Sequence, residues 1–149
     1  MAMFALTDEY FMQEALKEAQ KAYEEGEIPV GAVVVSQNRI IARAHNQVER
    51  LQDATAHAEM MALTAASVYT GGKYLPTCTL YVTLEPCPMC SGAAYWAQLG
   101  RLVFGASDER QGYRTTNAAA LHPRTEVVHG VLAQASVQLL KDFFYMLRS

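Results

Sequence analysis

The chain has 149 residues, a formal net charge of −3 at pH 7 and 51% hydrophobic residues. This length can bury a full core without disulfide staples, so we expect a single globular domain over residues 1–149. The weak negative charge argues against a generic nucleic-acid binder, and the use of three cysteines argues for a reducing compartment.

The first predicted element is an amphipathic helix. Thr7 has the character of an N-cap with Asp8 and Glu9 in the first turn, and apolar residues recur at helical spacing from there to Gly26. The first 25 residues contain no unbroken hydrophobic run, so we expect neither a signal peptide nor a membrane span. A cytoplasmic location is the resulting expectation.

A hairpin and a second helix follow. Residues 30–35 and 40–44 are apolar and rich in β-branched side chains, which predicts two strands joined by a turn at 36–39. A polar stretch then leads to a helix that Thr55 is expected to cap. This helix would carry His57 and Glu59 in its first turn and end before Gly71.

The third strand is predicted at 79–84 and is followed by a third helix. Pro88 has no N–H and a preset φ, which suits a first helical turn, so residues 87–90 should open that helix. Cys87 and Cys90 would then lie one turn apart, near the positive end of the helix dipole, where thiolate is favoured. With a fourth strand at 102–104, two strand–helix–strand units occur in succession, which predicts parallel pairing with helices covering the faces.

The last third contains one long irregular segment, 106–123, with Arg110, Arg114, Asn117 and His122. Loops of this length are usually functional or disordered. A fifth strand at 127–128 and a helix over Ala133–Arg148 with an apolar face complete the prediction. Residues 101–149 carry six bases against four acids, so this third is either a modest positive field for phosphates or an ordinary solvated surface.

Three side chains have the chemistry of a zinc site. His57, Cys87 and Cys90 supply one nitrogen and two sulfurs, and three protein ligands leave a fourth position for water, as in catalytic zinc sites. Glu59 is a nearby carboxylate that the metal does not need. A closed structural site would require Cys78, but the intervening strand would hold it about 20 Å away, so we expect Cys78 in the core.

The order of these motifs, His-x-Glu followed by Pro-Cys-x-x-Cys, matches the signature of zinc-dependent base deaminases. The chain resembles the cytidine deaminase-like superfamily and, within it, the bacterial tRNA-specific adenosine deaminases. The matching stretches are GEIPVGA (26–32), ARAHN (42–46), TAHAE (55–59), LYVTLEPC (80–87), VFGA (103–106) and KDFF (141–144).

This resemblance implies a three-layer α/β/α fold with a central five-stranded mixed sheet, one zinc ion per subunit and a homodimer. It implies hydrolytic conversion of adenosine to inosine at the wobble position of a tRNA anticodon loop, where bases can be splayed out without opening a duplex. It also implies that Glu59 shuttles protons and that Asn46 hydrogen-bonds the nucleoside. The other expected substrate-binding residues are Pro29, Val30, Ala58 and Pro86.

Two other functions remain open at this point. One is a deaminase of a free base or nucleoside, with guanine or cytosine as the base, because Tyr95-Trp96 resembles guanine deaminases. The other is a non-catalytic zinc-held RNA-binding module, which leaves Glu59 unexplained. The 111–116 loop lacks the Gly-Ser pair of related enzymes, so their RNA contacts do not transfer to it. Arg110, Arg114 and Arg148 are candidate phosphate contacts.

Overall fold

The computed structural model describes residues 6–116 and 121–148, and five strands of this part form one mixed sheet. The strands are β1 (Gly31–Ser36), β2 (Arg39–His45), β3 (Cys78–Leu84), β4 (Arg101–Ala106) and β5 (Glu126–His129). Their order across the sheet is β2-β1-β3-β4-β5. β1 runs antiparallel to β2 and to β3, whereas β3, β4 and β5 are parallel. The predicted five-stranded mixed sheet is confirmed.

Helices cover both faces of the sheet. They are α1 (Asp8–Glu24), α2 (Val48–Leu51), α3 (Ala58–Thr70), α4 (Pro88–Trp96), α5 (Tyr113–Thr116) and α6 (Ala133–Arg148). Residues of α3 and α4 pack in one core cluster against one face, and α1 packs in a second cluster against the other. α6 lies on the α1 side and contacts β4, β3 and α1. The predicted three-layer architecture is therefore confirmed.

The central strand β1 is buried on both faces. Ala32 and Val34 belong to the cluster under α3, whereas Val33 and Val35 belong to the cluster under α1. This explains why the strand has a continuous apolar run in the sequence instead of a polar alternation. Burying each valine contributes roughly 1.5–3 kcal/mol relative to exposure, so β1 is a main source of the sheet's stability.

One topological prediction was wrong. β3 and β4 pair directly in parallel, as expected for a strand–helix–strand unit, but β2 and β3 do not pair because β1 lies between them. Gln37 and Asn38 adopt positive φ at the hairpin turn, and the hairpin docks with β1, not β2, against β3. The connection from β2 to β3, which contains α3, must therefore cross over β1.

The helix ends follow local chemistry in most places. The Thr7 side chain accepts the Tyr10 N–H and caps α1, and α3 ends at Gly71 with positive φ, both as predicted. The predicted apolar face of α6 is only partly covered, because Phe143 is buried while Phe144 and Leu147 are 40% and 61% exposed. Within the described residues, no helix combines the length and apolar character needed to cross a membrane.

Candidate active site

The candidate metal ligands lie where α3 and α4 begin. His57 occupies the N-cap position of α3 and Cys87 that of α4, both with extended backbone, and Cys90 lies one turn into α4. The prediction that Pro88 opens a helix after Cys87 is confirmed. The prediction that Thr55 caps α3 was wrong, because the helix begins two residues later and His57 occupies the cap position.

The three ligand atoms have the spacing of a tetrahedral zinc site. The Nδ1 atom of His57 lies 3.6 Å from the Sγ of Cys87 and 3.5 Å from the Sγ of Cys90. Zn–N and Zn–S bonds of about 2.0 and 2.3 Å at a tetrahedral angle separate nitrogen and sulfur by about 3.5 Å. Among the described residues these are the only three His, Cys, Asp or Glu side chains that come together in this way, so the donor set fits zinc.

The N-cap side chains are free to face the metal because other groups satisfy the helix ends. Neither His57 nor Cys87 caps its own helix. The Asn46 Oδ1 atom accepts the Ala58 N–H at 2.8 Å, which satisfies the start of α3. In α4 the first residue is Pro88, which has no N–H to satisfy.

The charges of the site favour metal binding over an empty dithiol. A hydrogen bond from Cys90 lowers the pKa of the Cys87 thiol to about 4, and His57 adds to this effect. The neighbouring Cys87 sulfur and burial both raise the pKa of Cys90. The two sulfurs thus oppose each other's ionisation, and a bound divalent cation would favour the thiolate form of both.

Glu59 lies beside the ligands, in the first turn of α3. The residue is 4% exposed, and burial raises the pKa of its carboxyl group to about 7. It is not one of the three clustered ligands. A carboxyl group that titrates near neutral pH next to a metal site has the property required of a general acid and base.

A cleft of about 1280 Å³ opens onto this site. Its lining includes the metal-ligand candidates His57 and Cys87, the acid–base candidate Glu59, and two of the predicted substrate contacts, Val30 and Asn46. The other predicted contacts, Pro29, Ala58 and Pro86, are buried, and the cleft lining among the described residues does not include them. Asn46 already donates to the Ile28 carbonyl at 3.1 Å, which leaves one amide hydrogen for a ligand.

Part of the cleft wall was not predicted from the sequence. Residues 107–111 line one side, and Leu140, Phe143, Phe144 and Leu147 of α6 line another. The predicted irregular segment contains α5, and Arg114 is ion-paired with Glu85 at 3.1 Å. Asn117 lies outside the described residues. The sequence of α6 contained a signal for this role, because it has more apolar residues than packing against the sheet requires.

Three comparisons place this site among known proteins. Residues 6–106 match the family model of the cytidine and deoxycytidylate deaminase zinc-binding region. A tRNA-specific adenosine deaminase of Aquifex aeolicus is 44% identical over 146 residues, which is 95% of this chain and 96% of the relative.

Two solved structures are also similar. One comes from studies of A-to-I editing by tRNA:A34 deaminases at the wobble position of transfer RNA; it is 38% identical, has a TM-score of 0.81 and covers 87% of this chain and 98% of its own. The guanine deaminase of Bacillus subtilis is 35% identical, with a TM-score of 0.66, over 78% of this chain and 72% of its own. The fold, the His-Cys-Cys cluster and the sequence match agree, and the chain belongs to the zinc-binding cytidine and deoxycytidylate deaminase family.

Proposed function

We propose that this protein hydrolytically deaminates adenosine at the wobble position of a tRNA anticodon loop, giving inosine and ammonia. The observation that carries the proposal is the cluster of His57, Cys87 and Cys90 beside the buried Glu59, which lies outside that cluster and lines the cleft. The substrate is inferred from two similar proteins, the tRNA-specific adenosine deaminase of Aquifex aeolicus and a structure from studies of tRNA:A34 deaminases.

The residues have distinct roles in this reaction. His57, Cys87 and Cys90 would hold zinc, which would supply the Lewis acidity that makes water a nucleophile near neutral pH. Glu59 takes a proton from the attacking water and delivers it to N1 of the purine ring, which activates C6 for attack. Glu59 then takes the proton of the hydroxyl group now on C6 and passes it to the departing amine, so that the C6–N bond breaks, ammonia leaves and hypoxanthine remains.

Asn46 and the residues around it would hold the nucleoside. The Asn46 side-chain amide has two hydrogens, and one of them binds the Ile28 carbonyl. The other would donate a hydrogen bond to the substrate. Val30 lines the cleft, and Pro29, Ala58 and Pro86 complete the proposed substrate-binding set as buried support. Arg110 on the cleft wall and Arg148 at the end of α6 are the proposed phosphate contacts.

The similarity to known proteins favours an RNA loop over a free base, because the tRNA-specific adenosine deaminase of Aquifex aeolicus is 44% identical over 95% of the chain. A nucleobase deaminase remains the second candidate because the guanine deaminase of Bacillus subtilis is 35% identical to the chain. Ammonia release from an anticodon stem-loop with adenosine at the wobble position, compared with guanine, cytosine and free adenosine, separates the two.

Inosine in the stem-loop product, identified by mass spectrometry, is the expected result. Ammonia release from a free base, with the stem-loop left unchanged, would contradict the tRNA assignment. A stem-loop with guanosine at the same position is the matched substrate control. Mapping inosine in cellular tRNA with and without the protein then tests the assignment in vivo. A cytoplasmic location accords with this substrate and with three free cysteines.

A homodimer is also part of the proposal. Large apolar side chains on the α3 and α4 side are exposed: Val68 by 79%, Trp96 by 77% and Tyr69 by 62%. Large apolar side chains exposed to this extent suit a subunit interface. Light scattering of the protein and of Trp96→Ser should give a dimer and a weakened dimer, and a monomeric wild type would refute the interpretation.

A further inference from the structure

Glu85 is the most heavily bonded carboxylate next to the cleft, and neither the metal site nor the proton transfers use it. Its side chain is 1% exposed. One oxygen accepts the backbone N–H of Asp108 at 3.0 Å, and the other accepts the backbone N–H of Arg114 at 3.1 Å. A single buried carboxylate therefore holds both ends of the segment between residues 108 and 114.

The Arg114 guanidinium completes this arrangement from outside. Its Nε and Nη2 atoms donate to the two oxygens of Glu85 at 3.2 and 3.1 Å, and Nη2 also donates to the Ser107 hydroxyl at 2.8 Å. The same group lies 4.9 Å above the centre of the Phe104 ring. Two parallel hydrogen bonds and a ring contact fix an arginine in one geometry, which a flexible lysine does not reproduce.

The backbone between these anchors is built to fit the carboxylate. A Cβ atom at Gly112 would lie 2.4 Å from the Cδ of Glu85 and 2.5 Å from the carbonyl oxygen of Asp108. The loop thus approaches Glu85 as closely as a residue without a side chain permits. The Tyr113 N–H donates to the Pro86 carbonyl at 2.9 Å, which ties the loop to the residue before the ligand Cys87.

We propose that Arg114 and Glu85 are positioning residues, which hold residues 107–111 as a preformed wall of the substrate cleft. The inference rests on the proposed function only for the identity of the substrate. Arg114 is then not a free phosphate contact, because its guanidinium is already bound to Glu85. A displacement of about 1 Å in a substrate-positioning group can reduce turnover on the order of 100-fold.

Arg114→Lys is the main test, because it separates position from charge. If Arg114 contacted a phosphate, lysine would keep the charge and most of the binding. Lysine cannot form the two parallel hydrogen bonds that the guanidinium makes with Glu85. We expect kcat/KM on the stem-loop to fall about 10- to 100-fold for Arg114→Lys, by a similar factor for Glu85→Gln, and by no more for the double variant. Arg39→Gln, an exposed arginine at the opposite end of the sheet, is the charge control.

Hydrogen exchange of the zinc-loaded protein without RNA measures how firmly residues 107–111 are held. The Asp108 and Arg114 amides should exchange slowly in the wild type and at least tenfold faster in Arg114→Lys and in Gly112→Ala, with zinc content unchanged. Unchanged exchange together with near wild-type kcat/KM for Arg114→Lys, or a loss that disappears at higher salt, overturns the proposal. Failure of the wild type to act on the stem-loop refutes the proposed function instead and leaves the exchange result standing.

Discussion

Replacing Glu59 with glutamine is expected to abolish turnover while leaving the fold and the zinc content intact. Glutamine has nearly the volume of glutamate, so the substitution leaves no cavity at a position that is 4% exposed. Burial raises the pKa of the Glu59 carboxyl to about 7, which shows that the site disfavours its charge. A neutral side chain is therefore tolerated structurally, but it cannot accept a proton from water.

The size of the effect follows from the two proton transfers assigned to Glu59. Assistance by a positioned acid or base is worth about 10²–10⁴-fold in rate for one transfer. Because the same carboxylate serves both the ring nitrogen and the leaving amine, we expect kcat to fall at least about 10³-fold, or about 4 kcal/mol in activation free energy. Affinity for the stem-loop should change little, since the group acts on the reacting atoms.

The assay combines single-turnover inosine formation, metal analysis and stem-loop binding on the same preparation. Glu24→Gln, which makes the same change on the exposed surface of α1, is the control and should keep the wild-type rate. A Glu59→Gln protein with one zinc per chain and kcat within tenfold of the wild type would refute the proton-transfer role. Loss of zinc from the variant would instead show that Glu59 belongs to the ligand set.

Three further outcomes test other parts of the structure. Cys90→Ser should lose zinc and activity and the buried Cys78→Ser should keep both, as measured by metal analysis; equal zinc loss in the two would contradict the ligand assignment. Asp8→Asn should destabilise the fold by about 1–2 kcal/mol at pH 7, because hydrogen bonds from Arg101 lower the pKa of Asp8. This contribution to stability is fully present above pH 3.8, the ordinary pKa of the aspartate, and is lost as the pH falls through the lowered pKa of Asp8 in the folded protein. Urea titrations that show the same difference between Asp8→Asn and the wild type in strong acid would refute the pairing. Glu27→Gln should destabilise the fold by about 1–3 kcal/mol, since the buried carboxylate accepts two backbone N–H groups at the start of α2, and unchanged urea unfolding would contradict that.

Most of the fold was predictable because its signals are local. The apolar run of β1, the capping threonine of α1 and the glycine after α3 each act within a few residues of the structure that they determine. The position of β1 between β2 and β3 was not predictable in this way, since the crossing of α3 over β1 depends on how the hairpin docks. The metal ligands were predictable because zinc requires particular donors at particular spacings.

The substrate wall was less predictable, because its residues are brought together from distant segments. Glu85 and Arg114 are 29 positions apart, and nothing in the sequence between them indicates a bond. Arg114 was a candidate phosphate contact on charge alone, and only the structure shows that a buried carboxylate already binds it. Sequence charge gives the sign of a surface, whereas the structure decides which charges are available to a ligand.

The wrong cap of α3 shows how the fold frees a ligand for chemistry. A cap predicted from sequence is a serine, threonine, aspartate or asparagine next to the helix, and Thr55 met that rule. The N–H of Ala58 is instead satisfied by Asn46, twelve residues earlier, at the end of β2. His57 can occupy the cap position and still turn its Nδ1 toward the two sulfurs, because its side chain is not needed by the helix. Asn46 therefore links the start of α3 to the cleft, so the residue proposed to bind the nucleoside also supports the helix start that carries the first zinc ligand.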